Sequence, residues 1–399
     1  MTDRRILVIR LSSLGDVVLT TLLLRCLRAR YRQATIDMLT KEQYLPILDE
    51  IYFLDSRLGY PETTTARRKL KRSLAEKGYD TVIDLQNNIV SRSIVSAVNP
   101  EHVYKYTRAR FNRCLRIYFP GLRKRLKTPL PIAEGYLATA NPMWVKDDKS
   151  GLELRVNPKS AQTMRESLRS YHAKAGLPFD MTPLAVAAGA HHKTGTLNNR
   201  SAQVMRELMH AYRAETGLHF DMEPLVIAPG ARHNTKAWLP DHWIAFMKSA
   251  YAEGYLSQVL IGSADEDKLL ETIRSQLDFP VLKTGSDIDL KELIALISLG
   301  CALVSNDSGP MHIAAAVRTP VVAIFGSTVP EFGFAPFRCS SEIVQVDGLA
   351  CRPCHPHGRK RCPRKHFRCM EYVSPEMVLT ALKRIAKVEQ VAETSKVKG

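Results

Sequence analysis

The stretch from Cys301 to Gly326, CALVSNDSGPMHIAAAVRTPVVAIFG, carries the residue types of an anion site. The apolar run Ala302, Leu303, Val304 breaks at Asn306-Asp307-Ser308-Gly309. Pro310 then opens a small-residue helix through Ala316, and Pro320 starts a second apolar run. Proline is tolerated at a first helical position because its missing N–H had no intrahelical partner. A turn of this kind at the carboxyl end of a parallel strand aims free backbone N–H groups, with the helix dipole behind them, into the crevice, and so favours a phosphate. Taken alone, the same residues also read as an ordinary βα turn in which Asp307 and Ser308 cap a helix. Two further loops share the pattern: Ser12-Ser13-Leu14-Gly15-Asp16 after the first strand, and Pro229-Gly230-Ala231-Arg232-His233-Asn234-Thr235-Lys236-Ala237-Trp238 after the strand Leu225–Ala228. Neither Gly-containing loop has Walker A spacing or the full dinucleotide fingerprint, which weighs against nucleotide hydrolysis and hydride transfer.

The elements that must position these loops alternate. In the N-terminal half, strands are expected at Ile6–Leu11, Thr35–Leu39, Thr81–Leu85 and His102–Tyr106, with helices at Val17–Tyr31, Thr65–Glu76 and Ile89–Val98. Such alternation argues for a parallel sheet covered by helices on both faces. A polar, proline-containing passage near Asn141–Gly151 reads as an interdomain link. Beyond it, strands are expected at Leu225–Ala228, Gln258–Ile261, Val281–Leu282, Cys301–Ser305 and Val321–Phe325, with a helix at Asp241–Ala250. The expectation is an α/β chain of two doubly wound domains, 1–150 and 151–373, facing across a cleft, with ligands at the carboxyl ends of the strands. Ser374-Pro375-Glu376 starts a capped helix running to Lys387, followed by a polar tail to residue 399.

Hydrophobic content of 45% with 24% charged residues over 399 residues is that of a globular chain with room for two cores. No apolar run approaches the roughly 18 residues of a membrane span. The N-terminal segment MTDRRILVIRLSSLGDVVLTTLLL is interrupted by Ser12, Ser13, Gly15 and Asp16, and no small-residue cleavage site follows it. It reads as strand, turn and helix, and a cytoplasmic location is expected. The formal charge of +17 calls for an acidic partner. Much of the excess lies between Lys105 and Lys127, in KYTRARFNRCLRIYFPGLRKRLK, which reads either as a basic amphipathic surface for anionic lipid or as a solvated helix face. No helix-turn-helix, homeodomain or RNA-binding signature accompanies it, so no nucleic acid partner is expected.

Taken in order, RLSSLGDVVLT, YDTVIDLQNN, APGARHNTKAW, SNDSGPMHIAAA, TPVVAIFGST and CRPC…C…HFRCM resemble the ADP-heptose:lipopolysaccharide heptosyltransferases of glycosyltransferase family nine, from the first strand to about Val378. Among its members, heptosyltransferase II is the nearer likeness. The resemblance implies a GT-B fold of two Rossmann-like domains, with the donor held mainly by the C-terminal one. It also implies inverting transfer of heptose from ADP-heptose to the inner core of lipopolysaccharide, at the inner face of the inner membrane. Such a transfer is a single displacement at the anomeric carbon. It needs a base for the acceptor hydroxyl and positive charge for the departing diphosphate. By resemblance Asp16 is the base and Lys236 the diphosphate lysine. Thr235 would add a hydroxyl to the same phosphates, while Ser308 and Gly309 would donate N–H groups from the helix start. Asp307 would hold the turn or contact the sugar, His312 would line the pocket and Glu266 would contact the ribose. Arg10, Asp84, Asn87 and Arg92 fall where the acceptor side of the cleft should be. No metal cofactor is demanded, because Lys236 and the helix dipole can oppose the diphosphate charge.

Cys351, Cys354, Cys362 and Cys369 form C-x2-C-x7-C-x6-C, with His355, His357 and His366 among them. The first pair has the spacing of a metal knuckle and the second is wider than a standard ribbon, so a structural zinc and reduced thiols in a surface loop both stay open. Cys26, Cys114, Cys301 and Cys339 are scattered. Two readings compete with heptose transfer: transfer of another nucleotide-activated sugar, and a basic nucleic-acid-binding protein with a cysteine knuckle. The chain also contains a duplication. Ser160–Thr194 recurs at Ser201–Thr235, an offset of 41 residues with 20 of 35 positions identical. A solenoid needs about three or more copies, so this reads as a local tandem duplication of a helix-strand unit. Copy one lacks the lysine and tryptophan of copy two: Gly195 faces Lys236 and Leu197 faces Trp238. The expectation is that copy two lies in the sheet while copy one packs as an additional helix and strand, and that Ser160–Arg200 can be removed.

Overall fold

The computed structural model describes residues 4–107, 110–119, 121, 125–177 and 223–385. In the N-terminal half, β1 (Arg5–Ile9), β2 (Thr35–Lys41), β3 (Ser56–Tyr60), β4 (Thr81–Asp84) and β5 (His102–Lys105) form one sheet in the order β3-β2-β1-β4-β5. In the C-terminal half, β6 (Leu225–Ala228), β7 (Gln258–Ile261), β8 (Leu282–Thr284), β9 (Ala302–Asn306), β10 (Val321–Phe325) and β11 (Ser341–Gln345) form a second, ordered β11-β10-β9-β6-β7-β8. Among the described residues every strand pairing is parallel. The inner strands β4, β6, β9 and β10 are buried at every position, as strands covered on both faces must be. Both sheets are doubly wound, and their order reverses between β1 and β4 in the first and between β6 and β9 in the second. Crevices open at the carboxyl ends of strands at such switch points. The loops after β1, β6 and β9, singled out by their residue types, lie at these two places.

Helices α1 (Leu14–Leu19), α2 (Thr21–Arg30), α3 (Thr64–Glu76), α4 (Ile89–Val98), α5 (Arg110–Tyr118), α6 (Ile132–Ala138) and α7 (Pro158–Ala175) precede β6. Helices α8 (Pro240–Ala252), α9 (Asp267–Arg274), α10 (Leu290–Ser298) and α11 (Gly309–Val317) follow it. The single helix expected over Val17–Tyr31 is two. The Thr20 hydroxyl donates to the Val17 carbonyl at 2.6 Å and the Thr21 hydroxyl to that of Val18 at 2.8 Å, back-bonding of the kind that bends a helix. The terminal helix is present over residues 375–385, with Val378, Ala381, Leu382 and Ile385 buried in the C-terminal core. Its expected continuation to Lys387 lies outside the described residues.

The duplication is used differently from expectation. The strand of copy two is β6, at the centre of its sheet. The helix of copy one, however, is no addition. As α7 it buries Ala161, Met164 and Leu168 in the main core against α10, and its His172 Nε2 lies 2.7 Å from the Ser257 hydroxyl. The strand and loop of copy one and the helix of copy two lie outside the described residues. The two deletions that restore a single copy are therefore unequal. Removing residues 178–218 keeps α7 and β6 as they stand. Removing Ser160–Arg200 brings in copy two's helix, which has Met209 where α7 has Leu168 and Arg213 where it has His172. An arginine in that buried position is a desolvated charge. The second deletion is expected to be less stable than the first by roughly 1–3 kcal/mol. Denaturant midpoints measure the difference; equal midpoints would mean that either helix fits the site.

Candidate active site

On the N-terminal side, β1 delivers Arg10, Ser13 and Asp16 to the cleft. Ser13 caps α1 and Asp16 sits three residues on, so the aspartate is the capping-box partner rather than the cap itself. Its Oδ2 accepts from the Ser13 N–H at 3.0 Å, the Ser13 hydroxyl at 2.9 Å and an Arg10 guanidinium nitrogen at 2.7 Å. Its Oδ1 accepts from the Tyr136 hydroxyl at 2.9 Å. Burial alone would raise the carboxyl's pKa, but the Arg10 charge and the Ser13 hydrogen bonds override it and hold the group at about 2. Asp16 is therefore ionised at neutral pH, and its side chain is 16% exposed. Arg10, expected on the acceptor side, is instead the buried counterion of Asp16 and donates also to the Leu85 carbonyl at 2.8 Å.

Across the cleft, Lys236 Nζ lies 2.7 Å from Asp307 Oδ2, which also accepts from the Thr328 hydroxyl at 2.6 Å. Asp307 thus holds the lysine rather than only the turn. Asn306, at the end of β9, ties the two phosphate-type loops together: its amide donates to the Pro229 carbonyl at 2.7 Å, and its oxygen accepts from the Trp238 N–H at 3.1 Å. Trp238 is core, its indole donating to the Val373 carbonyl at 2.9 Å. Ser308 is the N-cap of α11, with its hydroxyl 3.0 Å from that of Ser305, and Gly309 is the first helical residue. The Glu266 carboxylate lies against Gly230 of the donor loop and accepts from the Ser263 N–H at 2.8 Å. Thr235 is buried, and its oxygen accepts from the Arg359 N–H at 2.7 Å and from the Ser327 hydroxyl at 3.0 Å. These contacts fasten the loop that carries Lys236.

The two sides meet where α1 packs on α11. A Cβ on Gly15 would lie 2.4 Å from His312 Cδ2, so only glycine permits this approach. The charges of Asp307, Asp16 and Lys236 all reach the His312 imidazole, which burial lowers to a pKa of about 4. Its Nδ1 has no partner among the described residues. His312 is thus a neutral imidazole at the meeting point of the two half-sites.

The cysteine-rich loop proves to belong to the donor side. Thr235 N–H donates to the Arg359 carbonyl at 3.1 Å, and the Cys354 N–H to that of Ser327 at 3.2 Å. The structural zinc left open at Cys351, Cys354, Cys362 and Cys369 has no assembled ligand set: among the described residues no three His, Cys, Asp or Glu side chains gather as ligands. Cys351 Sγ lies 3.7 Å from His366 Nε2, and Cys369 is buried in the C-terminal core, where burial and the nearby Cys354, Cys362 and Cys351 thiols push its own thiol up to about 11. The backbone of the loop is committed to Thr235 instead. Gly358, at φ +92°, rests on the lysine itself: a Cβ there would come within 2.9 Å of Lys236 Cγ and Cδ and 2.8 Å of His233 Cβ. Gly358→Ala is therefore expected to displace Lys236 and weaken ADP binding roughly ten- to a hundredfold. Calorimetric titration with ADP measures it; wild-type affinity would detach the loop from the donor site.

On the remaining acceptor side, Asp84 is fully buried. It accepts from the N–H groups of Gln86 and Asn87 and from the Ser91 hydroxyl, and so shapes the turn after β4. Asn87 holds the Tyr106 carbonyl at 3.0 Å and receives the exposed Arg92 at 3.1 Å. Asn306 and Thr328 lie in stretches the sequence marks, but their roles there do not show in it, and Tyr136 and Gly358 carry no local signature.

The model of glycosyltransferase family 9 (heptosyltransferase) matches residues 67–366. The lipopolysaccharide heptosyltransferase 2 of Escherichia coli (strain K12) is 27% identical over 337 residues, covering 82% of this chain and 84% of that protein. Among solved structures, a glycosyl transferase family 9 protein from Veillonella parvula DSM 2008 superposes with a TM-score of 0.68 at 16% identity, covering 96% of this chain and 97% of that one. The E. coli ADP-heptose lps heptosyltransferase II superposes with a TM-score of 0.64 at 22% identity, covering 97% and 99%.

Proposed function

This chain belongs to glycosyltransferase family 9, the heptosyltransferases, and from that premise we propose that it moves heptose from ADP-heptose to the inner core of lipopolysaccharide with inversion at the anomeric carbon. The observation that carries the reading is the joint presence of Asp16, Lys236 and Asp307 around His312. An ionised carboxylate stands on the N-terminal side of His312 and an ammonium held by Asp307 on the C-terminal side. Asp16 would take the acceptor hydroxyl proton as the oxygen attacks the anomeric carbon. The bond to the diphosphate breaks with its electron pair leaving on ADP, and Lys236 and the first N–H groups of α11, at Ser308 and Gly309, would oppose the charge that develops there. Glu266, beside the donor loop, would meet the ribose. A panel of nucleotide sugars tests the donor. ADP-heptose should release ADP in the presence of heptose-poor lipopolysaccharide, and UDP- or GDP-linked sugars should not release their nucleotides. Preference for another donor would leave the fold and overturn the sugar.

Such an acceptor lies at a membrane, and the inner face of the inner membrane is the proposed place of action. Among the described residues no helix is long and apolar enough to cross a membrane. Tyr118, Phe119 and Leu130 are exposed, with Arg125 and Lys127 exposed beside them in sequence. The whole stretch from Lys105 does not face outward, however. Arg113 is buried, donating to the Phe332 carbonyl at 2.7 Å, and Arg116 is turned in to the Leu126 carbonyl at 2.6 Å. The membrane contact is therefore assigned to the segment after α5. Neutralising Arg123, Lys124, Arg125 and Lys127 should lower affinity for anionic vesicles by roughly one to three orders of magnitude at low salt, at about 1 kcal/mol per basic residue. Unaltered vesicle sedimentation would mean a solvated face.

A further inference from the structure

We propose that Tyr136 is the positioning residue of the Asp16 base, its hydroxyl fixing the one carboxylate oxygen that is left to receive the acceptor's proton. The inference rests on the reading of Asp16 as base and goes beyond it to say which oxygen acts and what holds it. The hydrogen-bond census of the carboxylate decides the matter. Oδ2 already accepts three donors, two from Ser13 and one from Arg10, within 3.0 Å, more than its two lone pairs. Oδ1 accepts one, from Tyr136 at 2.9 Å. The remaining lone pair of Oδ1 is the open position on a side chain that is itself only partly exposed.

Tyr136 is built to stay where it is. Its ring is fully buried, stands edge-on to Tyr106 with centroids 4.9 Å apart, and lies under the Arg10 guanidinium at 5.3 Å. One arginine thus grips both the carboxylate and the ring that steadies it. Burial and the neighbouring Asp16 charge push the phenol well above its ordinary pKa, so the hydroxyl is always a donor. The helix that carries it, α6, is pinned from the opposite domain. The Ile132 N–H donates to the Gly333 carbonyl at 3.0 Å, and Arg338 reaches Glu134 at 2.8 Å. The donor side of the cleft therefore sets where the Tyr136 hydroxyl stands, and through it the orientation of the base. In the transfer step the acceptor O–H proton passes to Oδ1, its oxygen bonds to the anomeric carbon, and ADP departs with the electrons of the broken bond. Tyr136 keeps its own proton throughout.

Tyr136→Phe removes the hydroxyl and keeps the ring. It should lower kcat roughly ten- to a hundredfold, leave KM for ADP-heptose within about twofold, and raise the Asp16 midpoint in a carbon-13 carboxyl titration by about one pH unit, because the ionised form loses a donor. Asp16→Asn identifies the resonance and separates the two claims. If Asp16→Asn is inactive while Tyr136→Phe has wild-type kcat and an unmoved midpoint, Tyr136 is structural and the inference falls alone. If Asp16→Asn turns over normally, the base assignment falls and takes this one with it. Should Tyr136→Phe fail to fold, 3-fluorotyrosine at position 136, a stronger donor of nearly the same shape, should move the midpoint downward. No movement there would overturn the proposal.

Discussion

Asp16→Asn should lower turnover by about two to four orders of magnitude, the range of a lost general base, with ADP affinity unchanged. Asparagine matches the carboxylate in shape and can still meet Ser13 and Tyr136, but it cannot accept a proton at neutral pH. The structure adds a second consequence. Asp16 is also the counterion of the buried Arg10, so the substitution leaves that guanidinium without its anion and should cost about 2–4 kcal/mol of stability. The sign of the pH dependence follows from the lowered pKa. Held at about 2 against an ordinary 3.8, the Asp16 carboxylate contributes stability that is fully present above about pH 4 and is lost as pH falls toward 2. The asparagine variant should lack that acid dependence. Rates must be compared below its melting temperature, and ADP titration verifies that the donor side is whole. Wild-type turnover in a folded Asp16→Asn protein would remove this residue from the chemistry.

Lys236→Ala should weaken ADP binding and slow transfer together, lowering kcat/KM for the donor by about two to three orders of magnitude. The lysine side chain is 15% exposed and its ammonium is fixed by Asp307, so the charge is held in place before a diphosphate arrives. Truncation removes the cation and also leaves Asp307, buried and accepting from Thr328, facing the incoming phosphates as an uncompensated anion. Calorimetry for ADP and steady-state kinetics for the donor measure both effects. A loss confined to kcat would mean that the lysine acts only on the transition state, and unchanged donor kinetics would return it to a structural role.

How far the site could be read from the chain depended on whether a signal was local. The Asp307-Ser308-Gly309 turn and the Ser13–Asp16 cap are written in consecutive residues, and the buried strands β6, β7 and β10 announce themselves as apolar runs. The strands β3 and β11 do not. They are sheet edges, Ser-Arg-Leu-Gly-Tyr and Ser-Glu-Ile-Val-Gln, with few positions fully covered, so no apolar run forms. Tyr136 stands 120 residues from the carboxylate it serves, and Gly358 touches Lys236 only because the cysteine-rich loop folds back. Neither pairing has a sequence signature. Thr235 has the hydroxyl that a phosphate site would use, and only the third dimension adds that Arg359 and Ser327 both donate to it. Arg113 and Arg116 likewise look like surface charge in a basic stretch, yet each is committed to backbone carbonyls within the fold.

The measurement that bears most directly on the central claim is the product itself. Purified protein incubated with ADP-heptose and heptose-poor lipopolysaccharide should add one heptose to each acceptor, seen by mass spectrometry, with one ADP released per sugar. Proton-coupled NMR should find the new glycosidic carbon inverted relative to the donor, as a single displacement assisted by Asp16 requires. Retention of configuration, or an unmodified acceptor with a folded, ADP-binding enzyme, would contradict it.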